Sequence, residues 1–370
     1  MKIIFVSNIS WSLFNFRRGL MVEIKNRGHE VVFCAAYDDY TPRLQHLGFR
    51  YIPITVERKG RNIFKDLFLF FSLIRIYKKE KPDWIFHNSI KPNIYGSIAA
   101  FFVGSHCINT ISGLGYLFIR KSFLSNLIRI PYKLANLYAE KTVFQNKDDL
   151  QLFLDNGLIS ARKCVLISGS GVNTEFFKPD DNKNITSLER NFIFLYVGRI
   201  LWDKGIGELV ESVRILKKHY PLIKVDLLGM IDKGNPAGVS RIQIEEWERA
   251  GLIKYLGETI DVRPYMKNCN CVILPSYREG IPKALLEASA MELPIIATDV
   301  TGCRDVVEHE VTGFLVRVKD MHALANAMEK LIKMTESQRK EMGRSGRAKV
   351  LREYSESDVI KTYCLQIGLS

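Results

Sequence analysis

The chain has 370 residues, 47% of them apolar, which is more than one hydrophobic core usually organises and points to two domains of similar size. Its seven cysteines are scattered and odd in number, which excludes a disulfide framework and points to a reducing cytoplasm, and no apolar run approaches the ~20 residues that span a bilayer. The formal charge of +13 is uneven: residues 1–185 carry 26 Lys and Arg against 15 Asp and Glu, residues 186–370 carry 27 against 25, so the first half asks for nucleic acid, an anionic membrane surface or a phosphorylated substrate.

The opening run, Lys2 to Ser7, reads as a strand and not as a signal peptide. A loop from Asn8 to Phe14 leads to a helix from Asn15 to Arg27, ended by Gly28, and His29 to Ala36 is a second strand. The start is therefore βαβ, the entry to a parallel sheet. The loop lacks a G-x-G-x-x-G set, which argues against a dinucleotide fingerprint and against a dehydrogenase.

Gly48 to Val56 reads as a third strand, followed by the charged cluster Glu57 to Arg61. The helix expected from Ile63 to Lys79 is apolar almost all round and closes on basic residues. Such a pattern fits a core helix with snorkelling lysines or a membrane-contacting surface, and periodicity does not choose between them. Pro82 to His87 is a strand, Lys91 to Val103 its helix, and Cys107 to Ile111 the next strand, broken by Gly113-Leu-Gly115. From Tyr116 to Lys133 aromatic and aliphatic residues interleave with basic ones and with no acidic one, so Arg120, Lys121, Arg129 and Lys133 are expected to meet anionic lipid headgroups. Lys141 to Gln145 and Cys164 to Ile167 complete the first sheet. The polar run Asp180 to Arg190 reads as the linker between a first domain, 1–185, and a second, 186–350.

In the second half, the strand Phe192 to Arg199 ends in Gly198-Arg199, and Lys204-Gly205 stands just before a helix expected over Glu208 to Tyr220. Arg199 and Lys204 thus share a strand's C-terminal edge, where two cations can neutralise a diphosphate leaving group without a metal. Lys224 to Gly229 is a strand, Val239 to Ala250 a helix and Ile253 to Gly257 a strand. Cys271 to Leu274 is a short apolar run stopped by Pro275, a buried parallel strand; Ser276 to Gly280 form a loop, and Pro282 opens a helix running to Met291. A helix N-terminus at a strand end favours an anion. Glu279 and Glu287 flank it, and Glu287 lies roughly 7 Å up the axis from Pro282. Pro294 to Thr298 is a further strand, Thr301 to Glu308 a helix start, and the chain is helical from Met321 onward. No Asp-x-Asp triplet occurs, and Cys269 and Cys271 read as packing residues, not zinc ligands.

Two spacings, Gly-Arg-x-x-x-x-Lys-Gly from Gly198 and Pro-Ser-x-x-Glu-Gly-x-Pro-x-x-x-x-Glu-Ala from Pro275, occur in that order. Together they resemble the nucleotide-sugar signature of family 4 glycosyltransferases, retaining enzymes of the GT-B fold. The resemblance implies an α/β protein of two Rossmann-like domains facing across a cleft, with residues 351–370 forming a terminal helix that crosses back onto the first. It implies that Arg199 and Lys204 hold the diphosphate, that Glu287 holds the ribose and Glu279 the donor sugar, and that Gly257 borders the base. Gly280, Ile281 and Pro282 line the same loop, and Thr301-Gly302 resembles the small-residue turn near the diphosphate. Arg199, Lys204 and Glu279 are the catalytic candidates.

Within the family, Phe14-Asn-Phe16-Arg17, Lys91-Pro-Asn93-Ile-Tyr-Gly96 and Gly113-Leu-Gly-Tyr116 look like the branch that extends polyprenyl-diphosphate-linked sugars, including α-1,3-N-acetylgalactosaminyltransferases of bacterial O-antigen, lipopolysaccharide and related glycan assembly. That implies a UDP-sugar donor and a polyprenyl-diphosphate-linked acceptor met by Phe16, Arg17, Lys91, Asn93, Gly113 and Tyr116. It also implies no metal or other cofactor, no nucleic acid, and a peripheral place on the inner face of the bacterial cytoplasmic membrane. One departure stands out: many members carry a first-domain His near the reacting sugar, where this chain has Ser112. His87, ending the previous strand, reads as a packing residue. Three alternatives stay open: a GT-B-like UDP-sugar epimerase without a lipid acceptor, a basic nucleic-acid-binding protein, and a glycosidase using the two glutamates.

Overall fold

The computed structural model describes residues 1–56, 62–113, 123–179, 192–232 and 235–369. The Glu57–Arg61 cluster, Tyr116, Arg120, Lys121 and the run Asp180–Arg190 lie outside the described residues. Two compact units emerge, Met1–Ser170 with Glu356–Ser370, and Gly171–Ser355.

The first unit runs β1 (Lys2–Ile9), α1 (Ser10–Phe16), α2 (Arg18–Asn26), β2 (Glu30–Ala36), α3 (Thr41–His46) and β3 (Arg50–Pro53). It continues with α4 (Ile63–Glu80), β4 (Trp84–Asn88), a π turn at Pro92–Gly96, α5 (Ser97–Val103) and β5 (His106–Ile111). α6 (Phe123–Tyr138), β6 (Lys141–Phe144), α7 (Lys147–Asp155) and β7 (Cys164–Leu166) complete the sheet, whose order is β3-β2-β1-β4-β5-β6-β7. Every neighbouring pair is parallel, with Phe5 opposite Phe33 on one side and Phe86 on the other. Ile3, Ile4, Phe5 and Val6 are fully buried, as a strand covered on both faces requires.

The segment expected as a loop, Asn8 to Phe14, is mostly helical instead. Asp38 Oδ2 accepts the Trp11 N–H at 2.8 Å, and Ser10 Oγ bonds Thr41 Oγ1 at 2.7 Å, so groups from beyond β2 hold the start of α1. The chain breaks at Arg17, with φ −132°, before α2 resumes. At the π turn, a Cβ on Gly96 would lie 2.4 Å from His87 Nε2, so glycine lets this turn rest on the histidine ring.

The second unit comprises β8 (Ile193–Val197), α8 (Ile206–Leu216), β9 (Lys224–Leu228), α9 (Arg241–Arg249), β10 (Lys254–Gly257), α10 (Arg263–Lys267) and β11 (Cys271–Leu274). There follow α11 (Lys283–Ala290), β12 (Ile295–Thr298), α12 (Cys303–Val306), β13 (Gly313–Val316), α13 (Met321–Lys333) and α14 (Glu336–Glu353). Its sheet is again all parallel, in the order β10-β9-β8-β11-β12-β13, and β11 is buried at every position. β13, which the sequence reading passed over, opens on a glycine because a Cβ at Gly313 would lie 2.3 Å from the Ile295 carbonyl oxygen.

The chain changes units between Ser170 and Gly171, ahead of the boundary expected after residue 185. The reason is packing. Val172 and Phe177 are buried in the second unit's core, and the Val172 N–H donates to the Tyr354 carbonyl at 2.9 Å. The return lies at Glu356, a few residues later than expected, because α14 stays with the second unit to its end. α15 (Glu356–Gln366) then buries Val359, Tyr363 and Cys364, and Ile367 just after it, in one cluster with Phe5 and Phe86.

Candidate active site

In an all-parallel sheet, all strands deliver their C-terminal ends to one edge, and in the second unit the expected donor residues gather there. Gly198 follows β8, and its N–H bonds the Leu228 carbonyl at 3.0 Å. A Cβ on Gly229 would lie 1.8 Å from Gly198 O, so the ends of β8 and β9 close together because that side chain is missing. The Tyr196 hydroxyl donates to the Arg199 carbonyl at 2.7 Å, leaving the guanidinium 42% exposed, 3.6 Å from the buried carboxylate of Asp232. Lys204 precedes Gly205, whose left-handed backbone (φ 73°) rests on Pro275, where a Cβ would lie 2.1 Å from the carbonyl oxygen. That contact joins the Arg199–Lys204 loop to the loop after β11. Lys204 Nζ donates to Glu279 Oε1 at 2.6 Å, and Ser276 Oγ donates to the same oxygen at 2.6 Å.

Gly280 and Gly302 meet backbone to backbone. Gly302 has φ 83°, and a Cβ there would lie 1.6 Å from Gly280 O, which brings Thr301-Gly302 beside the Glu279 loop. Pro282 caps α11, Ile281 packs against the core, and Gly257 ends β10, its carbonyl accepting the Gly229 N–H at 2.8 Å. Glu287, in the second turn of α11, is buried 3.7 Å from Lys283 Nζ. Burial pushes its carboxyl above the ordinary range, with Lys283 opposing. Asp232, Glu208 and Tyr277 escaped the sequence reading. The Tyr277 hydroxyl donates to Glu208 Oε1 at 2.7 Å, and Asp232 stands outside both spaced motifs, so only the fold brings it to Arg199. Among the described residues no three His, Cys, Asp or Glu side chains converge as a metal site would require.

At the matching edge of the first unit, Arg17 is 4% exposed in the break between α1 and α2. Its Nε donates to Asn88 Oδ1 at 2.8 Å, and one Nη donates to Phe16 O at 2.7 Å and Ser170 Oγ at 3.3 Å. The guanidinium carbon lies 5.3 Å from the centre of the Tyr363 ring, and the Tyr363 hydroxyl bonds Thr110 Oγ1 at 3.0 Å. All these partners are neutral. Ser89, next to Asn88, takes left-handed backbone at φ 89°, a strained conformation for a residue with a side chain.

Lys91 differs from Arg17: its Nζ donates to Asp66 Oδ1 at 2.6 Å, so this unit already provides the anion expected to come from a substrate. Asn93 is buried, its amide donating to Thr110 O at 2.9 Å. Phe16 is half-buried against Trp11, and Gly113 (φ 142°) follows an exposed Ser112. His87 is fully buried between Tyr77 OH and Asn109 Oδ1, each at 3.0 Å, and burial holds its pKa down at about 4. It is a neutral packing residue with both ring nitrogens occupied. Of the cations expected at lipid, Arg129 is half-buried and Lys133 exposed.

Two Rossmann-like parallel sheets, one of which gathers Arg199, Lys204 and Glu279 where its strands end, define a glycosyltransferase of the GT-B fold. The chain belongs to the family described as glycosyl transferases group 1, whose sequence pattern matches residues 165–349, and a glycosyl transferase 4-like pattern matches residues 2–147. It is 30% identical, over 90% of its length and 89% of the relative's, to the N,N'-diacetylbacillosaminyl-diphospho-undecaprenol alpha-1,3-N-acetylgalactosaminyltransferase of Campylobacter jejuni. It is 27% identical, over 72% of its length and 70% of the relative's, to the UDP-Gal:alpha-D-GlcNAc-diphosphoundecaprenol alpha-1,3-galactosyltransferase of Escherichia coli. Among solved structures, Anabaena Alr3699/HepE in complex with UDP-glucose matches with a TM-score of 0.83 at 19% identity, over 100% of this chain and 99% of that one. At that identity the likeness speaks for the fold alone.

Proposed function

We propose that the enzyme transfers a hexose or N-acetylhexosamine, with N-acetylgalactosamine in α-1,3 linkage as the first choice, from a UDP-sugar to a polyprenyl-diphosphate-linked sugar. Configuration is retained, no metal takes part, and the product serves bacterial surface-glycan assembly at the inner face of the cytoplasmic membrane. The observation that carries this reading is the Arg199, Lys204 and Glu279 cluster at the ends of β8 and β11. The bond from the sugar's anomeric carbon to the β-phosphate oxygen breaks, and the electron pair leaves with UDP. Arg199 and Lys204 take up that developing charge, the task a divalent cation performs elsewhere. The acceptor hydroxyl bonds to the anomeric carbon and yields its proton to the departing phosphate. Glu279 receives hydrogen bonds from the donor sugar, and Glu287 from the ribose.

The acceptor specificity named for the C. jejuni and E. coli relatives, both acting on diphosphoundecaprenol-linked sugars, supports the lipid-linked acceptor. Arg17, buried among neutral partners, supports a place for its diphosphate. Arg129 and Lys133, with Arg120 and Lys121 nearby in sequence, are the cations this reading sets toward anionic headgroups. The test is incubation with a panel of UDP-sugars and a polyprenyl-diphosphate N-acetylhexosamine in excess EDTA, with the linkage determined by NMR. An α-linked product is expected. A β-linked product, an epimerised UDP-sugar, or activity abolished by EDTA and restored by Mg²⁺ would overturn the corresponding part.

A further inference from the structure

Five of the six exposed phenylalanines among the described residues lie on two neighbouring helices of the first unit, α4 and α5. On α4, Phe64, Phe68 and Phe71 are 80, 63 and 62% exposed at the spacing of a single helix face. Phe101 and Phe102, at the end of α5, are 56 and 63% exposed. Ring contacts join them. Phe70 lies 5.4 Å from Phe71 and 6.1 Å from Phe102, and Phe101 stacks at 4.1 Å on Tyr138 of α6. α6 continues the surface with Ile130, Leu134 and Leu137, again on one face and all exposed. Scattered apolar side chains on a protein surface need no explanation; a connected aromatic face across three helices does.

The charges around this face select its partner. The exposed charged residues of α4 are Lys65, Arg75, Lys78 and Lys79, and α6 adds Lys133. Both acids of α4 are engaged elsewhere: Asp66 by Lys91 and Tyr95, Glu80 by Lys2 and Arg50. The exposed acids that follow α4 and α6 in the chain are engaged too: Asp83 accepts the Lys2 N–H at 2.6 Å, and Glu140 is bridged to His106. A second copy of the chain would oppose these cations with its own. An anionic bilayer answers both features, taking the rings into its interfacial layer and the cations at its headgroups. No described helix is long and apolar enough to cross a membrane, so the contact is interfacial.

We propose that the outer face of α4, α5 and α6 is a membrane-insertion surface, with Phe64, Phe68, Phe71, Phe101 and Phe102 entering an anionic bilayer. It deepens the proposed function by naming how the enzyme reaches a lipid-linked acceptor, and rests on that reading for its purpose only. The full-length protein is tested by sedimentation with phosphatidylethanolamine–phosphatidylglycerol vesicles, with pure phosphatidylcholine as control. Salt-sensitive binding is expected on the anionic vesicles, with Phe68→Ser and Phe71→Ser together weakening it by about tenfold or more while the melting temperature and the turnover of a short-chain, water-soluble acceptor stay unchanged. A Phe68→Trp variant reports insertion directly: its added emission should shift to the blue on vesicles and be quenched by lipids brominated in the acyl chain. Added emission that brominated lipids leave unquenched, or a dimer in sedimentation velocity that the serine substitutions dissolve, would overturn the surface. Turnover of the lipid-linked acceptor without vesicle binding would overturn the surface and leave the reaction standing. Vesicle binding without turnover of any polyprenyl-diphosphate sugar would do the reverse.

Discussion

The two sheets present their C-terminal edges in the same way but handle charge there differently. In the second unit both expected cations face a carboxylate, Lys204 at 2.6 Å from Glu279 and Arg199 at 3.6 Å from Asp232. In the first, Lys91 is likewise matched by Asp66, but among the described residues the buried Arg17 bonds only neutral oxygens and an aromatic ring. A cation already paired has part of its field cancelled and trades partners when a ligand arrives, whereas one held by neutral groups keeps its whole field for an incoming anion. On the proposed function, the difference would separate a site whose chemistry shifts charge from one that only has to hold it.

The largest effect expected from this contrast is at Lys204. Lys204→Ala should lower kcat by about a thousandfold, because it removes stabilisation that matters most in the transition state and leaves Glu279 without its counter-ion. Steady-state kinetics decide it. A variant that loses melting temperature but keeps kcat would make the pair structural and erase the contrast.

His87 in the first unit and Glu287 in the second should answer pH with opposite signs. His87 is held neutral with a pKa near 4, below its unfolded value of about 6.5, so its contribution is present above pH ~6.5 and is lost as pH falls toward 4, about 3 kcal/mol in all. Chemical denaturation across that window should show the loss, and His87→Asn should flatten it.

At Arg17 a smaller, selective effect is expected. Arg17→Gln should raise the KM for the lipid-diphosphate acceptor about 10- to 100-fold and leave the KM for the UDP-sugar unchanged. A fall in stability alone would reduce Arg17 to a packing residue. Lys91→Ala provides the control, since it strands the half-buried Asp66 and should lower the melting temperature more than it alters acceptor binding.

The smallest effect concerns Glu287. Its carboxyl is raised by burial, so the folded protein holds that proton more tightly than the unfolded chain; the resulting stability is full below about pH 4.5 and is lost as pH rises through the shifted value. Glu287→Gln should therefore raise the melting temperature at pH 8, by roughly 2–4 °C for each kcal/mol recovered, while weakening UDP in calorimetry. A melting temperature that falls would show that the carboxylate is stabilised where it lies.

How much of this was legible beforehand follows from distance along the chain. Gly198, Arg199 and Lys204 lie within one strand–loop–helix unit, and Glu279, Pro282 and Glu287 within another, so residue type and spacing placed them at strand ends and a helix start before any contact was known. The parallel sheets were equally open to reading, because strands covered on both faces appear as apolar runs stopped by glycine or proline. What remained hidden depended on partners far away in sequence. α1 forms where a loop was expected because Asp38 and Thr41 hold its start. Lys91 is offset by Asp66, Arg17 is surrounded by Asn88, Ser170 and Tyr363, and Arg199 meets Asp232. The direction faced by α4 was hidden for a different reason: a helix apolar all round carries no periodic signal, and only its neighbours leave one side uncovered. The sequence by itself determined every strand but β13, their parallel pairing and the two spaced motifs, since each is encoded by residues close together; the tertiary structure alone decided which charges are compensated and which apolar face is left open, since both depend on what the fold brings alongside.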